Sequence, residues 1–392
     1  MSVAIDNQAA SASGIFSEVE KIMQRGVEEG VFPGAVLIVG QAGHELYARA
    51  FGERSARYKG SDGSVMQFDT VFDVASLTHI MVTATLVMKL VESGKLKLED
   101  KIPRFIEGFS VYNKSDVTIA HLLSHSSGLP HWAPYFEELL RANAGSRMGI
   151  MTSRGAREYI VTQLKRSQLK SAPGSRQIYS DLGYILLGHI VELLTGMSLD
   201  RAAYHQIFHA LGLRTTSFVD LSLIRRRGIH PVKDMIAPTE DCSWRKRVLC
   251  GEVHDDNAWA MGGIAGHSGL FSTASDVHRF ASELIAAYRG QSSFLTSESV
   301  ATLWGGVENL DSAGWQFGWD TPSKENGMDE SKLSSDAVGM CGFTGCSLWI
   351  EPASNLDIVL MSNRINPSRS NKKIRALRPE LHSAVVDAIG KL

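Results

Sequence analysis

Ser76 and His79 are the residues of this chain whose types and spacing most directly suggest chemistry. They stand three positions apart in Val74-Ala75-Ser76-Leu77-Thr78-His79, and side chains at i and i+3 lie on the same face of a helix. An imidazole, whose usual pKa is near ~6.5, can take a proton from a serine hydroxyl at neutral pH, so that the serine becomes a nucleophile. The alternative is that Ser76 caps a helix through its side-chain oxygen.

The sequence around Ser76 predicts the element that positions it. Apolar residues recur with helical spacing over residues 77–92, and Gly94 marks the end of that helix. We therefore expect Ser76 at a helix N-terminus. Its own backbone N–H would have no partner within the helix there and could bind a developing oxyanion.

Strand and helix patterns elsewhere predict the fold class. Strands are expected at residues 35–39 and 45–51, as a hairpin, and again near the C-terminus at 347–350 and 356–362. Helices are expected at residues 15–29, 118–124, 154–166, 181–195, 198–211, 275–288 and about 376–390. Because the strands lie at both ends, we expect an α+β fold: an antiparallel sheet built from both chain ends and flanked by helices, with an inserted helical domain.

This pattern also predicts the domain organisation. Residues 1–13 are expected to form a flexible tail, residues 14–78 plus 262–392 an α/β sheet domain, and residues 79–261 a mainly helical domain. A loop-rich stretch is expected to follow helix 275–288 as far as Val338.

Composition argues against several classes of partner. The 392 residues carry 40 Lys and Arg against 42 Asp and Glu, so no strong field attracts nucleic acid or an anionic membrane. The basic runs 225–227 and 245–247 are expected to be solvated surface. With no apolar run of about 20 residues and no secretory signal at the N-terminus, we expect a cytoplasmic protein that does not span a membrane.

The chain offers no pattern for a metal or a nucleotide cofactor. Its four cysteines lack metal-ligand spacing and are expected to be free thiols, with a Cys242–Cys250 bridge only if the chain is exported. Residues 254–257, His-Asp-Asp-Asn, are adjacent loop residues that would need further ligands to bind an ion. No glycine-rich segment has the strand–loop–helix context of a phosphate site.

Several blocks of sequence, taken in order, resemble the class C β-lactamase-related serine hydrolases, a family that includes DD-peptidases and esterases. The blocks are residues 72–78, 122–129, 173–174, 179–184 and 262–272. The resemblance implies acyl transfer through a covalent seryl intermediate, with Ser76 as the nucleophile. It also implies that Tyr179 exchanges protons with the nucleophile and the leaving group, and that the backbone N–H groups of Ser76 and Phe343 form an oxyanion hole.

Two family positions are changed in this chain. The Lys of the family's Ser-x-x-Lys motif is His79, and its Lys/His-Thr-Gly motif has become Met340-Cys341-Gly342. Met340 and Cys341 lack the cation and the hydroxyl that recognise a substrate carboxylate in the family. The expected substrate is therefore a neutral ester or amide, contacted by Met340, Cys341, Gly342 and Trp132.

Two hypotheses about function remain open at this point. In the first, Ser76, His79 and Asp181 approximate a Ser-His-Asp relay supported by Tyr179, and the protein hydrolyses a small ester, amide or peptide-like molecule. In the second, the protein is catalytically silent and keeps its pocket for binding a ligand or partner. The oligomeric state is not predicted.

Other conspicuous side chains have ordinary explanations. His125 and His267, in Gly- and Ser-rich turns, are expected to hold loops through hydrogen bonds. Trp132, Trp259 and Phe343 are candidates for pocket walls, although core packing explains a tryptophan equally well.

Overall fold

A computed structural model describes residues 14–56, 64–143, 151–306 and 314–392; the predicted tail, residues 1–13, lies outside them. Its main sheet has five antiparallel strands in the order β2-β1-β10-β9-β8. Two strands come from the N-terminal part of the chain and three from the C-terminal part. They are β1 (Gly34–Gln41), β2 (His44–Gly52), β8 (Val338–Cys341), β9 (Ser347–Glu351) and β10 (Leu356–Ser362).

The central strands β1 and β10 are buried on both faces, which explains their continuous apolar sequences. Along β1, Val36 and Ile38 belong to one apolar core, whereas Leu37 and Val39 belong to another, as the alternation of side chains in a strand requires. The second core is closed by α1 (Ser17–Glu28) and by the C-terminal helix, which contact each other. The first core continues into the helices of the middle of the chain.

Eleven further helices follow α1 in the described residues. Two of them, α2 and α7, contain π-helical turns. The eleven helices are α2 (π-helical His79–Ala84, then α-helical Thr85–Glu92), α3 (Ile119–Leu123), α4 (Tyr135–Asn143), α5 (Arg154–Arg166), α6 (Asp181–Thr195), α7 (Leu199–Ala203, π-helical Tyr204–Phe208, His209–Leu211), α8 (Leu221–Arg227), α9 (Asp256–Ala260), α10 (Ala274–Tyr288), α11 (Ser297–Gly305) and α12 (Ile374–Ile389). Short 3₁₀ turns occur at Ile102–Arg104, Lys233–Met235 and Met328–Glu330.

Two small sheets lie outside the main one. The first has the order β3-β7-β4 and joins β3 (Phe72–Asp73), β7 (Leu270–Ser272) and β4 (Ser217–Phe218). The second is the hairpin of β5 (Glu240–Cys242) and β6 (Arg247–Leu249). The pairing of β3 with β7 brings the segment before Ser76 beside the segment that contains His267.

The α+β architecture predicted from the sequence is confirmed, but several elements were not predicted. Helices α4, α8, α9 and α11 are only five to nine residues long, too short for apolar periodicity to be distinctive. The predicted domain division stays a prediction. One apolar core contains both Val36 of the sheet and Leu186 of α6.

Arg245 corrects the expectation of a solvated basic run. Its side chain is 1% exposed, and its guanidinium donates to the backbone oxygens of Val253 and His254 and to the carboxylate of Asp256. A buried guanidinium is stable only when it is paired in this way. All four cysteines are free thiols.

Within the described ranges, no single helix is both long enough and apolar enough to cross a membrane. One bent pair, Asp181–Thr195 with Leu199–Leu211, meets the criterion of length and composition only when its two helices are taken together, with an angle of 74° between them.

Candidate active site

Ser76 lies where a strained turn enters helix α2. The preceding residue, Ala75, has a φ of 48°, a left-handed conformation that residues other than glycine rarely adopt. Its backbone N–H donates to the buried carboxylate of Asp73 (2.9 Å), which also accepts from the N–H of His254 (2.7 Å). Backbone bonds such as His79 N–H to the Ser76 carbonyl (2.9 Å) then start the helix. The turn is therefore held in place by a buried carboxylate beneath it.

The Ser76 hydroxyl is in contact with the Tyr179 phenol. Tyr179 donates to Ser76 Oγ over 2.8 Å. Among the hydrogen bonds of the described residues, Ser76 Oγ accepts none from a backbone N–H, so Ser76 is not a side-chain helix cap. The family resemblance implied that these two hydroxyls meet, and in the structure they are hydrogen-bonded.

Tyr179 is oriented by the residues on either side of it. Ser180 caps α6 by accepting from the N–H of Gly183 (3.3 Å), and its hydroxyl donates to the Pro130 carbonyl (2.7 Å). His131 Nδ1 donates to the Tyr179 carbonyl (2.9 Å). The backbone that carries the phenol is therefore held in place on both sides of Tyr179.

The environment of Tyr179 keeps its phenol protonated. Burial raises the pKa of Tyr179 well above its usual value, and the neighbouring Asp181 carboxylate raises it further. The hydrogen bond to Ser76 acts in the opposite direction but is smaller than burial. Tyr179 is therefore a proton donor in the resting site.

His79 does not form the predicted relay. Its ring is fully buried and lies parallel to the ring of Tyr184, with centroids 3.9 Å apart and an interplanar angle of 6°. Nε2 lies 3.5 Å from Asp181 Oδ1, and neither ring nitrogen makes a hydrogen bond to a described residue. The Ser76–His79–Asp181 relay therefore lacks its Ser–His hydrogen bond, because stacking holds the imidazole.

The protonation of His79 follows from this burial. Burial lowers the pKa of His79, and the opposing effect of the Asp181 carboxylate does not compensate. The imidazole is thus neutral at neutral pH. Position 79 does not provide a positive charge next to Tyr179.

Ser76 and Tyr179 open into a cavity of about 220 Å³. Its wall contains five of the predicted site residues: Ser76, Trp132, Tyr179, Asp181 and Phe343. The complete lining is Ala75, Ser76, His131, Trp132, Tyr179, Asp181, His254, Asp255, Asp256, His267, Ser268, Phe343 and Arg369. A larger cavity, about 820 Å³, lies between the β1–β2 turn and α10 and contains none of these residues.

The predicted contacts from strand β8 need correction. Met340 is 1% exposed and belongs to the apolar core, and neither Cys341 nor Gly342 lines the cavity. The residue from this segment that lines the cavity is Phe343, which follows the end of β8 and is 47% exposed. Trp259, another candidate for the pocket wall, packs against Trp244 instead.

Gly342 nevertheless has a geometric role. A Cβ at this position would lie 2.6 Å from the carbonyl oxygen of Val74. Only glycine lets the end of β8 approach the turn before Ser76 so closely. The hydrogen bonds of the described residues give no protein acceptor to the N–H of Ser76 or Phe343, so the predicted oxyanion hole stays a prediction for these two groups.

The sequence did not identify the charged residues on the far wall of the cavity. Arg369 donates to both carboxylate oxygens of Glu240, through Nε (2.8 Å) and Nη2 (2.9 Å). His254 Nε2 lies 2.6 Å from the same carboxylate, and its ring stacks on Phe343. The pKa of Glu240 falls to about 2, because these contacts outweigh the effect of burial.

A second ionic pair lies in the wall of the same cavity. His267 Nε2 is 2.8 Å from Asp255 Oδ1, and both side chains line the cavity. The segment 254–257 had been considered in the sequence only as a metal motif. Among the described residues, no group of three or more His, Cys, Asp and Glu side chains could hold a metal ion. The sequence did contain a signal for this arrangement. Residues 254–255 and 267–268 lie on either side of the short helix α9, and both pairs line the cavity.

His125 supports the site from behind. Its Nδ1 accepts from the backbone N–H of Ser180 (3.0 Å), and its ring packs against Tyr179 and Trp315, with centroids 4.7 Å and 4.8 Å away. His125 thus helps to fix the Tyr179–Ser180 segment.

Comparison with known proteins agrees with this geometry. The β-lactamase family model matches residues 19–382. An N-acetylmuramyl-L-alanine amidase from Bacillus subtilis is 30% identical over 375 residues, covering 88% of this chain and 80% of the amidase. A putative D-alanyl-D-alanine carboxypeptidase from Escherichia coli K12 is 29% identical over 376 residues, covering 89% and 82%.

A solved structure shows the same fold. EstCE1, a hydrolase with promiscuous acyltransferase activity, superimposes with a TM-score of 0.70 at 20% identity, over 94% of this chain and 99% of EstCE1. Since the family match extends over nearly the whole described fold and includes the Ser76 turn, Tyr179 and the end of β8, the chain belongs to the β-lactamase family of serine hydrolases.

Proposed function

We propose that this protein transfers acyl groups from a small neutral ester, with an amide as the slower alternative, through an acyl-enzyme on Ser76. The observation that carries the proposal is the 2.8 Å hydrogen bond between Tyr179 and Ser76 Oγ at the mouth of a cavity. A serine hydroxyl with a second proton-transfer group in direct contact can act as a covalent nucleophile.

Tyr179 serves as the proton relay in this proposal. Ser76 Oγ bonds to the carbonyl carbon while its proton passes to the Tyr179 oxygen, and the phenol proton passes to the leaving oxygen as the ester C–O bond breaks. Water then attacks the carbonyl carbon of the acyl-enzyme and gives up a proton to Tyr179. The bond between Ser76 Oγ and the acyl carbon breaks, Ser76 regains its proton from Tyr179, and the acid is released. Because the pKa of Tyr179 is raised, a concerted exchange is favoured over a free phenolate, and esters with good leaving groups react fastest.

The charges of the cavity support a neutral substrate. Asp181 lines it and repels a substrate carboxylate, whereas Asp255 and Asp256 are already paired with His267 and Arg245. The guanidinium of Arg369 is already bound to Glu240 through two hydrogen bonds. At about 220 Å³, the cavity suits a small acyl group.

The names of the relatives support the reaction class but leave the substrate open. They include an amidase, a putative D-alanyl-D-alanine carboxypeptidase and a hydrolase with acyltransferase activity. All three describe attack on the carbonyl of an ester or amide, which is the chemistry proposed for Ser76.

The test is covalent labelling with a fluorophosphonate, followed by mapping of the adduct. The proposal expects an adduct on Ser76 and turnover of p-nitrophenyl acetate, both of which disappear in Ser76→Ala. Ser335→Ala, which changes an exposed serine, is the control and should label like the unchanged protein. Absence of both labelling and turnover would contradict the proposal.

One observation favours the competing function, ligand binding without turnover. His79 is buried and neutral, and Tyr179 faces the Asp181 carboxylate, so this part of the site is poorly arranged for removing the Ser76 proton. The substitution His79→Lys separates the two functions, because Met340 lies in the core and a cation at that position would not reach the cavity. If His79→Lys produces turnover in an inert parent, position 79 explains the silence.

A further inference from the structure

The ionic pair of His267 and Asp255 lies in the wall of the Ser76 cavity. His267 is 2% exposed and reaches the cavity from the loop before β7, with Nε2 2.8 Å from Asp255 Oδ1. The Asp255 carboxylate also caps α9 by accepting from the N–H of Ala258 (2.7 Å). Two fixed elements therefore hold the pair in place.

Three ionisable groups from other elements interact electrostatically with His267, and a fourth, Tyr179, lines the same cavity. Asp255 precedes α9, Asp181 and Tyr179 lie at the start of α6, and His79 lies in the π-helical turn of α2. Both carboxylates raise the pKa of His267, and together they outweigh the lowering effect of burial. The pKa of Asp255 falls to about 2, against the effect of burial, chiefly because of the His267 charge.

Of these two histidines, the one that carries a positive charge is therefore His267, in the wall of the cavity that Tyr179 also lines, and not His79. Protonated His267 contributes to the lowered pKa of His79, so the two imidazoles do not share the charge equally. Arg369, another cation that lines the cavity, is occupied by Glu240. His267 is thus the cation placed to oppose the field of Asp181.

That field matters because Asp181 makes loss of the Tyr179 phenol proton more difficult. Negative charge on the phenol oxygen or on a tetrahedral oxyanion is stabilised by a fixed cation nearby and destabilised by a fixed carboxylate. We propose that His267, held as an imidazolium by Asp255, is a positioning residue that offsets Asp181 and supplies the positive charge for proton exchange between Ser76 and Tyr179. This inference rests on the proposed function.

The experiment compares His267→Gln and Asp255→Asn with the unchanged protein, and uses His278→Gln as a matched control. His278 is also a buried histidine paired with an aspartate, 2.7 Å from Asp357, but it lies outside the Ser76 cavity. The readouts are kcat and KM for p-nitrophenyl acetate from pH 5 to pH 9, and the rate of fluorophosphonate labelling at Ser76.

The imidazolium exists below the raised pKa of His267 and is lost above it, so kcat of the unchanged protein should decline as the pH rises through that value. His267→Gln should lower kcat about tenfold or more at pH 6, with little change in KM, and should abolish that decline. Asp255→Asn keeps a helix-capping side chain and should move the decline to lower pH. His278→Gln should keep the original profile.

Two results would overturn the inference. The first is a His267→Gln protein that folds and keeps the original kcat and pH profile while Ser76 still reacts, which would leave the proposed function intact. The second is an NMR titration of the histidine resonances in which His267 does not titrate at higher pH in the unchanged protein than in Asp255→Asn. Failure of the unchanged protein to label at Ser76 would overturn both proposals together.

Discussion

His79 lies flat against Tyr184, with the two ring centroids 3.9 Å apart and the ring planes within 6° of parallel. The stack places a neutral imidazole at position 79, with Nε2 3.5 Å from Asp181 Oδ1. A flexible, charged side chain at this position could reach toward that carboxylate. In the proposed reaction, this packing keeps position 79 from supplying a positive charge to the Ser76–Tyr179 pair.

Replacing His79 by lysine should therefore raise activity. An ammonium near Asp181 and Tyr179 would lower the pKa of the phenol through charge attraction, and we expect kcat/KM for p-nitrophenyl acetate to rise about tenfold at pH 7, a change of roughly 1.4 kcal/mol in barrier height. His79→Gln, which loses the ring without adding charge, is the control and should show no gain. If His79→Lys and His79→Gln change kcat/KM equally, the charge at position 79 does not limit the reaction.

Removing the phenol should have the opposite effect. Tyr179→Phe deletes the group that donates to Ser76 Oγ, and general acid–base groups typically contribute about 10²-fold or more, so kcat should fall by at least that factor. The matched variant is Tyr184→Phe, in which the lost hydroxyl donates to the Leu123 carbonyl. It should cost about 1 kcal/mol of unfolding free energy in urea and change kcat much less than Tyr179→Phe does. Similar kcat values for the two variants would contradict the role of Tyr179.

The sequence was sufficient to predict the part of the site that depends on local order along the chain. Helix signals predicted that Ser76 begins a helix, whereas the resemblance to the family's motifs, and not local signals, identified Tyr179 as its partner. The same signals predicted the sheet built from both chain ends. Such features depend on spacing within short segments.

The remaining features depend on contacts between distant segments. Sequence periodicity does not distinguish a π-helical turn from an α-helical one, so the direction of the His79 ring could not be predicted. Met340 was expected to contact substrate, but the alternation of β8 points its side chain into the core. The pairing of His267 with Asp255 becomes visible only when the loops on both sides of α9 are brought to one wall.

Gly342 should be required for the position of the Ser76 turn. A methyl group at this position would meet the Val74 carbonyl oxygen at 2.6 Å, so Gly342→Ala must displace either β8 or the turn, at a cost of about 1–3 kcal/mol. We expect lower stability in urea and slower labelling of Ser76. Gly305→Ala is the control, because a Cβ there meets nothing within 4 Å in helix α11, and it should be neutral or slightly stabilising. Unchanged labelling in Gly342→Ala would show that the close approach is not needed.

Glu240 should make the free energy of unfolding depend on pH in the acid range. Its pKa is lowered from 4.5 to about 2 in the folded protein, so the carboxylate stabilises the fold above about pH 4.5, and this contribution is lost as the pH falls toward 2. Glu240→Gln should therefore unfold at lower urea concentration than the unchanged protein at pH 7, and the difference should narrow progressively between pH 4.5 and pH 3.

Because the carboxylate holds Arg369 and His254 at the cavity, the variant should also hydrolyse p-nitrophenyl acetate with a higher KM. Glu330→Gln, at an exposed position, is the control. If the two variants show the same urea midpoints across this pH range, the Glu240 contacts do not stabilise the fold.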